Sequence, residues 1–260
     1  MVSDVEILCP DPGETIRRAR DADVDVVEND GIACVDMTGG RTLCHTVHPL
    51  DARPTSPRLA SHLDHIALCL PHGTSDALAT TYEQVFGFER VEIGDCAEVG
   101  VDVAGMRSIV VRAGRAATIV LTEPAVPEHG GQTQRFVDRH GGPGVQHIAV
   151  ACRDLCAAVS ERRDLGVEFL DAPPGYYREA HRRLADAEMP WERIEKLQVL
   201  VDADDRGLLM QVFARPLTDN GAFFFEFIQR AGAVGFGANN VRALFEAMER
   251  AATTDSEDVR

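Results

Sequence analysis

Phe223-Phe224-Phe225-Glu226-Phe227-Ile228-Gln229-Arg230 reads as a strand, and Glu226 is the residue in it that demands an explanation. A carboxylate inside so apolar a run meets a large desolvation cost unless it is paired, protonated or bound to a metal. Two upstream segments offer partners. His65 lies in His62-Leu63-Asp64-His65-Ile66-Ala67-Leu68, and His147 in Gly144-Val145-Gln146-His147-Ile148-Ala149-Val150. Two histidines and one carboxylate on three separate strands are the ligand set of a mononuclear non-haem Fe(II) oxygenase, which leaves coordination positions open for substrate and O2.

Composition bounds the rest. A chain of 260 residues holds one large domain or two small ones with ample core. A net charge of -16 argues against nucleic acid as a partner. No run approaches the ~20 apolar residues of a membrane-spanning helix, and Asp4 and Glu6 near Met1 break any signal-peptide pattern. The 7 cysteines are odd in number and form no CxxC pair, so reduced thiols of a cytoplasmic protein are expected.

Three segments repeat one order, strand, helix, further strands, which predicts an α+β fold of βαβββ modules. The first runs from Val5–Cys9 through helix Gly13–Arg20 to strands near Val24–Glu28, Ile32–Met37 and Thr42–Val47. The second has strand His62–Leu70, a helix capped by Thr74 or Ser75 and stopped by Gly87, and strands Glu89–Ile93, Met106–Arg112 and Ala116–Thr122. Gln132–His140 is a crossing helix. The third has strand Val145–Cys152, a helix capped by Asp154, strand Val167–Leu170, a polar helical insertion from Tyr176 to Lys196, and strands Leu197–Asp202, Leu208–Ala214 and Ala222–Gln229. Asn239–Arg250 closes the series as an amphipathic helix carrying Val241, Leu244, Phe245 and Met248 at helical spacing. The expected domains are a partial N-terminal unit of one module (1–50), a linker (51–61), a two-module unit with its C-terminal helix (62–251) and a frayed tail (252–260). Modules two and three can close on each other as a barrel-like cup, whereas module one has no partner module.

Strand alternation places side chains on faces. His65 points with Leu63 and Ala67, away from Asp64; His147 points with Val145 and Ala149; Glu226 points with Phe224 and Ile228; Gln211 points with Leu209 and Phe213. If these faces line the cup, it holds two imidazoles, a carboxylate and an amide within an apolar and aromatic ring. The simpler readings stand beside this one. A lone strand histidine is more often a satisfied core or surface residue, and a buried glutamate pairs with arginine as readily as with metal. Val101-Asp102 and the run Asp202, Asp204, Asp205 read as solvated turns.

From about His62 to Arg250 the sequence resembles the catalytic domain of the 4-hydroxyphenylpyruvate dioxygenase and 4-hydroxymandelate synthase family, in the vicinal oxygen chelate superfamily. The stretches that carry the resemblance are Gly144 to Ala149, Gly166 to Leu170 on through Pro174-Gly175-Tyr176-Tyr177, Leu209 to Phe213, Phe224 to Arg230, and Gly235-Phe236-Gly237-Ala238-Asn239-Asn240. It implies that His65, His147 and Glu226 bind Fe(II). It also implies oxidative decarboxylation of an arylpyruvate with O2 and hydroxylation of what remains. Carried over by position, Ser108, Gln132 and Gln211 match polar residues about the reacting substrate. Phe213 and Phe236 match aromatic walls, with Phe224 grouped with them as substrate-binding, and the helix from Asn239 matches the one that closes the mouth.

Two departures from the family matter. Homogentisate-forming members carry Pro-x-Asn where this chain has Val120-Leu121-Thr122, and phenylalanine where it has Val241. A smaller side chain on the closing helix lets the ring swing and present its benzylic carbon. The expected product is therefore 4-hydroxymandelate, with homogentisate as the alternative. Family members also carry two modules before the cup and this chain carries one. A late reading-frame start and a true absence are the two readings, and the catalytic domain or a second copy in a homodimer is expected to cover the half-sheet. An extradiol dioxygenase or glyoxalase-type isomerase fits the C-terminal stretches poorly, and a non-catalytic binding module has no need of the triad.

Overall fold

The chain folds as three βαβββ repeats in which the first strand of each repeat pairs in parallel with its last. The structure, a computed structural model, describes residues 2, 4–29, 32–38, 43–49, 62–91, 105–114, 117–126, 131–217 and 223–244. The linker 51–61, Cys96, Val101-Asp102, the end of the last helix with Phe245 and Met248, and the tail 252–260 lie outside the described residues.

The first repeat comprises β1 (Ile7–Cys9), α1 (Pro12–Asp21), β2 (Val26–Asn29), β3 (Ile32–Asp36) and β4 (Cys44–Pro49), in sheet order β1-β4-β3-β2. The second comprises β5 (His62–Cys69), α2 (Ser75–Phe86), β6 (Glu89–Val91), β7 (Met106–Ala113) and β8 (Ala117–Pro124). After α3 (Gln132–His140), the third comprises β9 (Gly144–Ala151), α4 (Leu155–Asp164), α5 (Tyr176–Arg183), α6 (Trp191–Lys196), β10 (Leu200–Asp204), β11 (Gly207–Phe213) and β12 (Phe224–Ala231). Repeats two and three share one 8-stranded sheet, β10-β11-β12-β9-β5-β8-β7-β6, joined at its centre by antiparallel β5 and β9. Residues 238–244 are helical. Among the described residues no helix is long and apolar enough to cross a membrane, and the six described cysteines are free thiols.

Local chemistry sets most boundaries. Asp11 caps α1 by accepting from Glu14 N at 3.0 Å, with Pro12 in the first turn, and Asp154 caps α4 through Ala157 N at 2.8 Å. Gly87 ends α2 in the left-handed conformation (φ 69°). Neither Thr74 nor Ser75 caps α2 through its side chain. The Ser75 N–H donates instead to the buried Glu123 carboxylate at 2.8 Å, a partner distant in sequence. The expected strand Val167–Leu170 is reduced to an isolated bridge between Phe169 and Ala214. The polar insertion is two helices rather than one: α5 ends at Arg183, and α6 begins just after Pro190, a residue suited to a helix start and not to its interior.

Module one docks on the outer side of the larger sheet. Ala19 of α1, with Val35, Leu43 and Val47, shares a core with Leu78, Ala79, Tyr82 and Val85 of α2 and with Ile66 and Leu68 of β5. The second repeat thus covers the helix-bearing face of the first sheet. The opposite face, with Leu8, Val27, Cys34, Thr46 and His48, stays half-exposed.

His45 is the polar centre of that junction. It is fully buried, its Nδ1 donates to Val5 O at 3.1 Å, and its Nε2 accepts the Tyr82 hydroxyl at 2.7 Å. Burial holds the imidazole neutral and lowers its pKa from 6.5 to about 4. The unfolded chain therefore binds the proton first as pH falls. The stabilisation from neutral His45 is whole above pH 6.5 and is lost as pH drops through 4. A shift of this size is worth roughly 3 kcal/mol. In urea unfolding, the stability gap between the native protein and His45→Gln narrows by about that amount between pH 7 and 4; a constant gap contradicts the assignment.

Candidate metal centre

The three strands at the middle of the large sheet bring the triad together. Across them His65 on β5 lies opposite Ala149 on β9, which lies opposite Glu226 on β12. Ala149 is fully buried, and its methyl group leaves room for the longer flanking side chains to meet above it. In the next row His147 stands between Ala67 and Phe224, whose ring stacks on the imidazole at 5.0 Å.

The donor atoms form a tight triangle. His65 Nε2 lies 3.2 Å from His147 Nε2 and 3.6 Å from Glu226 Oε2, and His147 Nε2 lies 3.4 Å from Glu226 Oε2. Both Nδ1 atoms face acceptors: Asp64 Oδ1 at 2.8 Å from His65 and Gln146 Oε1 at 3.2 Å from His147. A neutral imidazole that donates through Nδ1 presents its Nε2 lone pair, the form in which it ligates a metal, and here both Nε2 atoms face each other and a carboxylate. Two imidazole nitrogens and a carboxylate oxygen converging this closely fit a cation. Burial, followed by the neighbouring His65, drives the His147 pKa well below its ordinary value. Burial likewise raises that of Glu226, opposed by His65 and by the hydrogen bond that Gln211 Nε2 donates to Oε1 at 2.8 Å.

Asp64 corrects the alternation argument, which put it on the face away from His65. Pairing between β5 and β9 shifts register at Leu63/His65 and again at Ala67/Leu68, making Asp64 and Gln146 the extra residues of two β-bulges. A bulge re-aims the side chain it carries. Each of these residues immediately precedes a histidine and turns to meet that ring, and neither was marked by strict alternation. Burial would raise the Asp64 carboxyl, but the hydrogen bond from His65 and the Arg230 guanidinium hold it well below the usual carboxylate range.

The triad forms the floor of a cavity. Its walls are Ala67, Met106, Val120, Phe213, Phe236, Val241 and Leu244, with Ser108, Thr122, Gln146 and Gln211 as the polar groups. Ser108 and Thr122 face each other across β7 and β8, their hydroxyls 3.2 Å apart. Of the residues expected about a substrate, Ser108, Gln211, Phe213, Phe236, Thr122 and Val241 line this cavity. Gln132, at the start of α3, is not among the lining residues, and Phe224 packs behind His147 as its stacking partner.

The helix over the mouth is held by buried polar bonds. Asn240 Nδ2 donates to Gln211 Oε1 at 2.8 Å, and the Tyr176 hydroxyl donates to Asn240 Oδ1 at 2.6 Å. The expected solvated turn at Asp202–Asp205 is corrected here. Asp202 is buried, accepts from Asn239 N at 3.0 Å and pairs with Arg183 at 2.6 Å. Asp204 Oδ2 accepts from Val234 N and Gly235 N at 2.7 and 2.8 Å. These two carboxylates latch the segment leading into the closing helix, using partners far away in sequence.

Residues 64–185 match the family model described as Glyoxalase/Bleomycin resistance protein/Dioxygenase superfamily. The chain is 37% identical over 212 residues to a 4-hydroxyphenylpyruvate dioxygenase of Caenorhabditis elegans, covering 78% of this chain and 54% of that one. The Danio rerio protein of the same name is 36% identical over 211 residues, covering 78% and 53%. The chain thus spans about half the length of these curated relatives. Among solved structures, a mutant of 4-hydroxymandelate synthase from Streptomyces coelicolor is similar with a TM-score of 0.79 and 33% identity, over 96% of this chain and 76% of that one. With its βαβββ repeats, central His/His/Glu cluster and these similarities, the chain belongs to the 4-hydroxyphenylpyruvate dioxygenase and 4-hydroxymandelate synthase family.

Proposed function

We propose that the protein is an Fe(II)-dependent, 2-oxo-acid-consuming dioxygenase that acts on 4-hydroxyphenylpyruvate or a close arylpyruvate and forms 4-hydroxymandelate. The observation that carries this reading is the buried triangle of two imidazoles and one carboxylate at the floor of an aromatic-walled cavity. Two histidines and a carboxylate with open positions suit non-haem iron. Bound there, iron would supply the Lewis acid for a 2-oxo acid and the means of activating O2.

The remaining tasks fall to the chain itself. Phe213 and Phe236 offer flat apolar walls for an aryl ring, and the hydroxyls of Ser108 and Thr122 offer polar contacts to it. Gln211 holds Glu226 in place through one amide atom and the closing helix through the other. Val241 and Leu244 on that helix shield the floor from water. The choice of product follows from the size of Val241: with no large ring above it, the substrate's aryl group can turn and present its benzylic carbon.

Replacing Val241 with Phe and Thr122 with Asn is expected to move product from 4-hydroxymandelate towards homogentisate. Chromatography of the products from 4-hydroxyphenylpyruvate reads this directly. Homogentisate as sole product of the unsubstituted protein would contradict the proposed specificity. Arylpyruvate binding without O2 uptake would mark a binding module instead.

A further inference from the structure

We infer that Asp64 and Arg230 are positioning residues that set the orientation of the His65 ring and tie it to the aromatic wall of the cavity. The inference rests on the reading of the triad as a divalent-metal centre. Asp64 Oδ1 accepts the His65 Nδ1 proton at 2.8 Å. Arg230 grips the same carboxylate with two parallel bonds, Nε to Oδ2 at 2.8 Å and Nη2 to Oδ1 at 2.9 Å. Its remaining nitrogen, Nη1, donates to Gly235 O at 2.5 Å, and its guanidinium carbon lies 5.3 Å from the centre of the Phe236 ring. Phe236 meets His65 edge-on at 4.8 Å, which completes a circuit of contacts: imidazole, carboxylate, guanidinium, aromatic wall, imidazole.

Three features make this more than a salt bridge. Asp64 reaches His65 because a bulge turns it there. Arg230 lies four residues beyond Glu226 on β12, so the pair joins the strand of the first histidine to that of the carboxylate. His147 has no equivalent, its Nδ1 meeting a neutral amide at the longer distance of 3.2 Å. A largely buried ion pair adds little net stability, whereas a carboxylate behind a metal-binding imidazole fixes its tautomer and direction.

Titration of Co(II) into the metal-free protein, followed by calorimetry and by the visible absorption of the bound ion, tests this independently of turnover. Asp64→Asn keeps an acceptor for Nδ1 but loses the charge, and Asp64→Ala loses both. Affinity is expected to fall by about 10-fold in the first and towards about 100-fold in the second, the range found for partners behind metal ligands. Both variants should show a changed absorption spectrum. Arg230→Gln should weaken binding less than Asp64→Ala does, and Arg230→Lys should recover part of that loss. Native affinity and spectrum in Asp64→Ala, with only a lowered melting temperature, would overturn the inference and leave a structural ion pair. Should that variant not fold, the isosteric Asp64→Asn decides on the same criteria. Failure of the unsubstituted protein to take up Co(II) would overturn the metal reading beneath it, a result distinct from equal uptake by all variants.

Discussion

Glu226→Gln is expected to abolish stable binding of a divalent metal while leaving the fold intact. The substitution removes one of three donors whose atoms stand 3.2–3.6 Å apart, and the two imidazoles that remain cannot enclose a cation. The loss should exceed the about 10–100-fold that changes behind the ligands cost. The fold should not suffer in parallel. Glu226 is almost fully buried, and burial raises its pKa, so its charge is a burden on the metal-free protein. A glutamine of the same shape still accepts the bond from Gln211 Nε2 without that charge. Metal-free Glu226→Gln should therefore melt no lower than the metal-free native protein. Coupled loss of stability and metal affinity would instead make Glu226 a structural partner. Unchanged metal affinity would remove it from the site.

Gly237→Ala is expected to lower stability by about 3 kcal/mol, combining a left-handed backbone with a crowded site. Gly237 has φ +71°, and a Cβ there would stand 2.6 Å from Gln211 Oε1, 3.0 Å from Leu209 Cδ2 and 3.2 Å from Asn240 Nδ2. Gln211 cannot yield freely, since Glu226 and Asn240 hold the two ends of its amide. The damage should reach the site through Gln211 and through the segment that carries Phe236. Gly166→Ala provides the control: it has φ +87° but nothing within 4 Å of a Cβ, so it should cost only about 1–2 kcal/mol. Equal losses in the two variants, read by urea denaturation, would show that the crowding at Gln211 carries no weight.

How much of this was legible in the sequence depends on whether a feature is periodic. Period-two alternation groups Glu226 with Phe224 and Ile228 on β12 and His147 with Ala149 on β9, and the family resemblance is what joins His65 to them. Alternation fails at Asp64 and Gln146, because a bulge adds one residue to one strand and leaves no mark in hydrophobic pattern. Asp202 and Asp204 sit beside a turn and read as solvated, yet their partners Arg183, Asn239, Val234 and Gly235 arrive only through the fold. The His45–Tyr82 contact is likewise a meeting of two modules, 37 residues apart, and nothing local announces it. Gln132 and Phe224 show the opposite limit. Positional likeness to a family marks a residue as near the site, whereas the structure decides whether it lines the cavity or backs a ligand.

The most direct test of the proposed function is the stoichiometry of gas exchange by the Fe(II)-loaded protein supplied with 4-hydroxyphenylpyruvate. The expected result is O2 uptake matched by equimolar CO2 release, with 4-hydroxymandelate formed, and no exchange in Glu226→Gln. Protein shown to hold iron and to bind the arylpyruvate, yet consuming no O2, would contradict it.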